Sequence, residues 1–207
     1  MTKQNQSSLA QLPSDYFKDT YGLSATHSEV LAATPYFVGE RALDIGSGRG
    51  RNALYLAQHG FTVDAFDVNP HAIQILDNII EKEGIETIRT AVRDLNQDPT
   101  INADYDVLVC TVVMMFLQPE TIPPLIEQMQ KSTRPGGINI IVCAMDTEAY
   151  PVKSDLTFSF KEGELRDYYQ GWEFLKYNED VGQLHRRNPD GSYVQMQFAT
   201  MIAKKSR

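Results

Sequence analysis

The sequence predicts a doubly wound α/β fold: a mostly parallel seven-stranded sheet with helices on both faces and an antiparallel last strand. Three observations predict it. From Arg41 onward, apolar runs of strand length alternate with segments of helical period, the order that crossover helices between parallel strands produce. The middle runs, such as Asp106-Val107-Leu108-Val109-Cys110-Thr111-Val112-Val113, are apolar almost throughout, as strands covered on both faces must be. Between the first such run and the first helical segment lies a turn with glycines at alternate positions, Gly46, Gly48 and Gly50.

In chain order, residues 1–14 are rich in Gln and Ser, lack periodicity and read as a mobile tail before a single domain over 15–207. Asp15 to Phe37 reads as a helical segment whose apolar side carries Tyr16, Phe17, Tyr21, Val30 and Leu31. Strands are expected at 41–46, 61–67, 86–92, 105–112, 137–145, 172–178 and 193–203, and helices at 51–59, 70–83, 119–132 and 161–170. Pro135-Gly136-Gly137 reads as a sharp turn before the fifth strand. Tyr193-Val194-Gln195-Met196-Gln197-Phe198-Ala199 alternates polar and apolar residues, which predicts an antiparallel strand near a sheet edge.

The glycine turn carries the chemistry. A strand, a tight turn and a helix N-terminus let backbone N–H groups approach a nucleotide-like ligand. The spacing departs from a dinucleotide fingerprint, because the third glycine comes one residue early, with Arg51 in its place. Asp44, two residues before the first glycine, suits a ligand with an ammonium group better than a pyrophosphate. A second strand ends at Asp67, about twenty residues on, where a carboxylate can accept hydrogen bonds from both ribose hydroxyls. In a doubly wound sheet the ligand lies beyond the strand C-terminal ends, so Asp94 with Leu95, Thr111 and Asp146 also become candidates. Asp94 and the Leu95 N–H could read adenine edges; Asp94 also reads as a plain turn acid. The stretch from Val112 to Phe116 reads mainly as core, with its first residues able to line a pocket.

Composition narrows the class. A hydrophobic share of 42% and a charged share of 22% are ordinary for a globular domain, and the formal charge of -8 argues against non-specific nucleic-acid binding. Cys110 and Cys143 lie in apolar runs and read as buried free thiols of a reduced compartment. No apolar run approaches the roughly twenty residues that span a bilayer, and no signal peptide opens the chain, so a cytoplasmic location is expected. No Cys/His spacing suggests a metal site, and no heptad or unpaired apolar stripe indicates an oligomer.

Near the C-terminus, His185-Arg186-Arg187 sets an imidazole beside two guanidiniums, a candidate base with cations for an anion. The following Asn188-Pro189-Asp190-Gly191 is a strong turn signal, so from the bare residues a solvated hairpin turn is the preferred reading. His27 reads either as a site residue or as a first-turn residue of a helix capped by Ser24, Thr26 or Ser28.

The glycine turn resembles motif I of S-adenosylmethionine-dependent methyltransferases. A closer resemblance rests on Thr26-His27-Ser28-Glu29-Val30-Leu31, Gly50-Arg51-Asn52, Thr111-Val112-Val113-Met114-Met115-Phe116-Leu117, Ala144-Met145-Asp146-Thr147, Phe160-Lys161-Glu162-Gly163-Glu164-Leu165 and Tyr177-Asn178-Glu179-Asp180-Val181-Gly182 with His185-Arg186. From about Tyr16 to Lys205 these segments resemble the TehB family, the tellurite-resistance methyltransferases of bacteria. The resemblance implies a class I methyltransferase of Rossmann-like fold that uses S-adenosyl-L-methionine to methylate tellurite or selenite, and sometimes other small acceptors. It puts the motif I glycines on Gly46, Gly48 and Gly50, the ribose acid on Asp67 and the catalytic pair on His185 and Arg186. To these the reading of the residues adds cofactor contacts at Asp44, Asn52, Val68, Asp94, Leu95 and Thr111, an N-terminal segment around Tyr16, Tyr21 and His27 expected to close over the cofactor, and Arg187 expected to assist Arg186. The chain departs from the family pattern at Ser47 and Arg49, often Cys and Asn, and at Tyr193, where some members carry an arginine that Arg187 would have to replace. Two other readings stay open: a methyltransferase of a small organic thiol, amine or metabolite, and a non-catalytic cofactor-binding protein.

Overall fold

A computed structural model of the chain describes residues 9–152, 156–187 and 189–206, excepting the side chains of 184–186. Seven strands form one sheet: β1 (Arg41–Ile45), β2 (Thr62–Asp67), β3 (Ile88–Val92), β4 (Tyr105–Thr111), β5 (Thr133–Ala144), β6 (Glu173–Arg187) and β7 (Tyr193–Lys204). Their order is β3-β2-β1-β4-β5-β7-β6, with β3 through β5 mutually parallel and β7 antiparallel to both neighbours. Chain order reverses between β1 and β4. That is the topological switch point, and the glycine turn leaves β1 there.

Among the described residues, six helices flank the sheet: α1 (Tyr16–Tyr21), α2 (Ser28–Ala33), α3 (Arg51–Gln58), α4 (Pro70–Glu83), α5 (Ile122–Lys131) and α6 (Glu164–Tyr168). The period-two alternation of β4 divides the core. Val107 and Val109 pack with Leu54 of α3 and Leu76 of α4, whereas Leu108 and Cys110 pack with Leu125 of α5 and Leu165 of α6. Cys110 and Cys143 are both buried and free, and burial pushes both thiols well up.

Four expectations need correction. Leu9 is buried and Leu12 packs against the same core, so the packed body starts before Asp15; of the tail expected over 1–14, residues 1–8 lie outside the described residues. The single helical segment over 15–37 is two short helices and a 3-10 turn (Thr34–Tyr36), because Gly22 ends α1 in a left-handed conformation at φ 63°. The turn at Pro135-Gly136-Gly137 lies inside β5 as an irregularity: Tyr105 pairs with Thr133, but Val107 already pairs with Ile138. Finally, β6 runs on to Arg187 rather than ending at 178; it forms the edge, and β7 is the antiparallel strand next to it, near the edge as expected. The polar-apolar alternation of 193–197 has a further source. β5 pairs with β7 only as far as Ala144 and Phe198, and beyond that register β6 and β7 continue as a two-stranded ribbon. No helix among the described residues is long and apolar enough to cross a membrane.

Candidate functional site

The site forms where β1, β2, β3 and β4 all end on one side of the sheet. A cleft of about 400 Å³ opens there, lined by Gly46, Asp67, Val68, Asp94 and Leu95 from the first three strand ends and by residues 112, 113, 116 and 117 after β4. Those β4 residues and the β2 end flank the glycine turn because β1 lies between β2 and β4.

Each glycine of the turn has its own reason. At Gly46 (φ 66°) an added Cβ would meet Val113 Cγ2 at 2.3 Å, so only glycine lets the β4 loop close on the turn. At Gly48 (φ 55°) it would meet nothing within 4 Å; that side is open for a ligand. Gly50 caps α3, and its missing Cβ admits Leu76 of α4. The Gly48 N–H donates to Asp67 Oδ2 at 2.8 Å, and the Asn69 N–H donates to Oδ1 at 2.9 Å. A carboxylate offers about four acceptor positions, so Asp67 keeps capacity for hydroxyl donors from the cleft.

Below the turn, Asp44 is 1% exposed. Burial pushes its carboxyl up to about 7, against the pull of the Ala53 N–H, the Arg51 guanidinium and the Asn52 side chain, with Asp67 adding to the rise. Among the described residues three buried side-chain oxygens lack a hydrogen-bond partner, and two of them, Asp44 Oδ2 and Ser47 Oγ, belong to this turn. Buried polar groups are nearly always paired, so this concentration marks where a ligand's polar groups belong. Open backbone at Gly48, an acid with spare acceptors and an orphan carboxyl oxygen fit a nucleoside that carries an amino group.

On the cleft wall, Asp94 accepts from the Asn96 N–H at 2.9 Å and from Gln97 Nε2 at 3.0 Å, so its carboxylate closes a turn while facing the cleft. Leu95 is buried against the core. Val68 and Phe116 stand exposed at 60% and 59%, apolar surface on both sides of the glycine turn. Of the 112–116 stretch, Met114 and Met115 are core and the first residues, Val112 and Val113, line the cleft, both as expected; Phe116 lines it too. Sequence reasoning missed Phe116 and had no signal for the backbone conformation of Val112, whose φ of 62° is, among the described residues, the one positive value outside glycine. A β-branched residue in that region is strained.

Several expected contacts go elsewhere. Asn52 is buried and used by the protein itself: its Nδ2 donates to Thr111 Oγ1 at 3.1 Å, and its Oδ1 accepts from the His27 N–H at 3.1 Å. Asn52 and Thr111 therefore support the turn rather than line the cleft. His27 caps α2, its Nδ1 accepting from the Glu29 N–H at 3.2 Å; burial, with Arg51, pushes the imidazole down to about 4. Tyr16 and Tyr21 do not close over the cleft. Both hydroxyls donate to Glu83, the last residue of α4, whereas Asn69 caps that helix just past Asp67. Thirteen residues of helix separate the two ends by roughly 20 Å.

The C-terminal cluster falls on the β6–β7 ribbon. His185 and Arg186 are in β6, with side chains outside those described. Arg187 is engaged: Nη1 donates to the Gly191 carbonyl at 2.7 Å, Nη2 donates to the Tyr193 hydroxyl at 2.8 Å, and the guanidinium lies 4.2 Å from the Tyr193 ring centroid. Both open readings of the cluster meet here, since the segment is a hairpin and the hairpin extends past the end of β5 on the cleft side of the sheet. Asp146 does not stand free for a second substrate, because Lys161 Nζ donates to it at 2.6 Å.

A probable S-adenosyl-L-methionine-dependent methyltransferase TehB of Haemophilus influenzae (strain 10810) is 43% identical over 191 residues, 92% of this chain and 66% of the relative. The crystal structure of TehB from Haemophilus influenzae superposes with a TM-score of 0.88 at 42% identity, covering 93% of this chain and 67% of that one. The N-methyltransferase NodS from Bradyrhizobium japonicum, at 18% identity and a TM-score of 0.65 over 95% of this chain and 100% of its own, shares the fold alone. This chain thus spans about two thirds of the length of the TehB relatives it matches. The family model of tellurite resistance protein TehB matches residues 10–202, nearly the whole chain, and the protein belongs to the TehB family.

Proposed function

We propose that the protein binds S-adenosyl-L-methionine in the cleft at the switch point and transfers its methyl group to a chalcogen oxyanion such as tellurite or selenite. The observation that carries the cofactor half is the glycine turn itself: Gly46 and Asp67 line the cleft, the Gly48 N–H is held by Asp67, and the orphan oxygen of Asp44 lies two residues before Gly46. Asp67 would accept the ribose hydroxyls, and Asp94 with the Leu95 N–H would meet the adenine edge between the apolar faces of Val68 and Phe116. Asp44 would answer the amino group. Bound there, the cofactor supplies a sulfonium-activated methyl group, so the chain's own task is alignment, worth about 7–11 kcal/mol of barrier when good.

The acceptor half rests on the ribbon. Phe198 of β7 pairs with both Ala144 and Asp180, and His185 lies five residues beyond Asp180, roughly 16 Å further along the strand. That places His185 and Arg186 past the strand ends, on the side where the cleft opens. His185 would hold the acceptor deprotonated and Arg186 would bind it through paired N–H donors. One observation favours the second reading, a small organic thiol or amine: Arg187 is already taken by Tyr193 and Gly191, which leaves fewer cations for an oxyanion.

The deciding experiment is formation of S-adenosylhomocysteine by purified protein with tellurite, selenite, a thiol panel or no acceptor, beside calorimetric titration with S-adenosylmethionine. Binding with oxyanion-dependent turnover supports the proposal. Binding with turnover only on organic acceptors overturns the substrate, and absence of binding overturns the cofactor.

A further inference from the structure

We propose that ligand binding in the cleft expels one proton from Asp44, so that the site recognises the amino group of its cofactor through a carboxyl that is neutral beforehand. The inference rests on the cofactor reading above and concerns the charge state of the site.

The geometry sets the problem. Asp44 is the last residue but one of β1, two before Gly46, and is 1% exposed. Its carboxyl receives the Ala53 N–H and the Asn52 side chain, while Oδ2 has no partner. An ionised carboxylate there would be a buried charge without a facing donor on one oxygen, which costs several kcal/mol. Protonation removes the charge at the price of one unpaired O–H. The charged and titratable groups facing it come from every neighbouring element. Arg51 at the start of α3 pulls the carboxyl down, and Asp67 at the end of β2 pushes it up. The Cys110 thiol of β4 stays neutral, held up by its own burial. Arg51 does not close the gap, since its Nη1 donates to the Ala25 carbonyl at 3.4 Å. Burial dominates, and the carboxyl titrates near 7.

Gly46, two residues after Asp44, lines the cleft, and an ammonium group at that end of it changes this balance. A positive charge within about 4–6 Å favours the carboxylate strongly, and contact is not required. The step is a simple exchange: the neutral Asp44 carboxyl gives its proton to solvent, and the resulting carboxylate is compensated by the ligand's ammonium. A nucleoside without an amino group provides no such charge and leaves the proton in place. Asp44 thereby sets a specificity: affinity for the amino-acid-bearing nucleoside rises with pH toward neutrality, and affinity for the bare nucleoside does not.

The test is titration calorimetry with S-adenosylhomocysteine and with methylthioadenosine, in buffers of differing ionisation enthalpy. At pH 6.5, S-adenosylhomocysteine should release a measurable fraction of a proton, and methylthioadenosine none. Between pH 5.5 and 7.5 the affinity for S-adenosylhomocysteine should strengthen several-fold, and for methylthioadenosine stay level. Asp44→Asn should abolish both the release and the pH dependence. If both ligands release the same number of protons, or the Asn variant releases as many as the wild type, the proton does not come from Asp44 and the inference fails. Binding of S-adenosylhomocysteine without any release also overturns it, leaving the cofactor reading intact. Failure of either nucleoside to bind overturns that reading as well. The comparison of the two ligands on unmodified protein decides the matter even if the Asn variant does not fold.

Discussion

The carboxylate of Asp67 accepts the backbone N–H of Gly48 at 2.8 Å, across the gap between the ends of β2 and β1. One acid thus shapes the glycine turn and faces the cleft with its remaining acceptor positions. Asp67→Ala should lose both functions. Hydrogen bonds to a charged group contribute about 1.5–3 kcal/mol each, so cofactor affinity should fall at least tenfold, and about a hundredfold or more if both ribose hydroxyls bind there. Calorimetry with S-adenosylmethionine checks this; an unchanged Kd removes the ribose role.

Asn52 connects three elements through Thr111 and the His27 backbone. Asn52→Leu should destabilise the fold by about 1–3 kcal/mol, because the Thr111 hydroxyl and the His27 N–H lose their partner. Urea unfolding measures the cost. Equal stability of variant and wild type would show that the bridge contributes nothing.

His27 makes the folded protein sensitive to acid. Its folded ionisation near 4 lies below the ordinary histidine value of 6.5, so between those values the unfolded chain binds more protons than the native one. Stability from this residue is complete above about 6.5 and is lost as pH falls toward 4. Asp44 acts with the opposite sign. Its raised folded value makes the native state the better proton binder between about 4 and 7, so its contribution falls as pH rises there. His27→Asn keeps a helix-capping residue but does not titrate; its unfolding midpoint should lose the acid-side decline. A profile parallel to wild type over pH 4–6.5 would refute the assignment.

Val112 carries φ 62° at the cleft. Strain of this kind costs about 1–3 kcal/mol, so Val112→Gly should change stability by less than about 1 kcal/mol. Val109→Gly, on the fully buried face of β4, should cost about 3 kcal/mol or more. Denaturant midpoints of the two variants test the contrast; similar large losses would mean that Val112 is held without strain.

On the acceptor side, His185→Ala and Arg186→Ala should each lower kcat/KM for an oxyanion by about a hundredfold or more. Arg187→Ala should do much less, because its guanidinium is already held by Tyr193 and the Gly191 carbonyl. S-adenosylhomocysteine formation reports all three. An Arg187 effect as large as that of Arg186 would mean the hairpin releases it during turnover.

Much of this molecule is written in local patterns. Apolar runs with period-two or helical spacing mark β1 to β5 and α3 to α5 because burial acts residue by residue, and Pro70 after Asn69 marks the start of α4 as observed. The alternate glycines and the acids Asp44 and Asp67 are visible because a close turn and a strand end demand those residue types at those places. What the tertiary structure decided are pairings between distant segments. Tyr16 and Tyr21 share Glu83 rather than the cleft, Asn52 turns inward to Thr111 and His27, and Arg187 folds back on Tyr193. None of these follows from local spacing, since a polar side chain satisfies its hydrogen bonds with whichever partner the packed core brings within reach. The left-handed Val112 belongs to the same class. Its conformation is imposed by the strands and turn around it and has no counterpart in the residue's own preference.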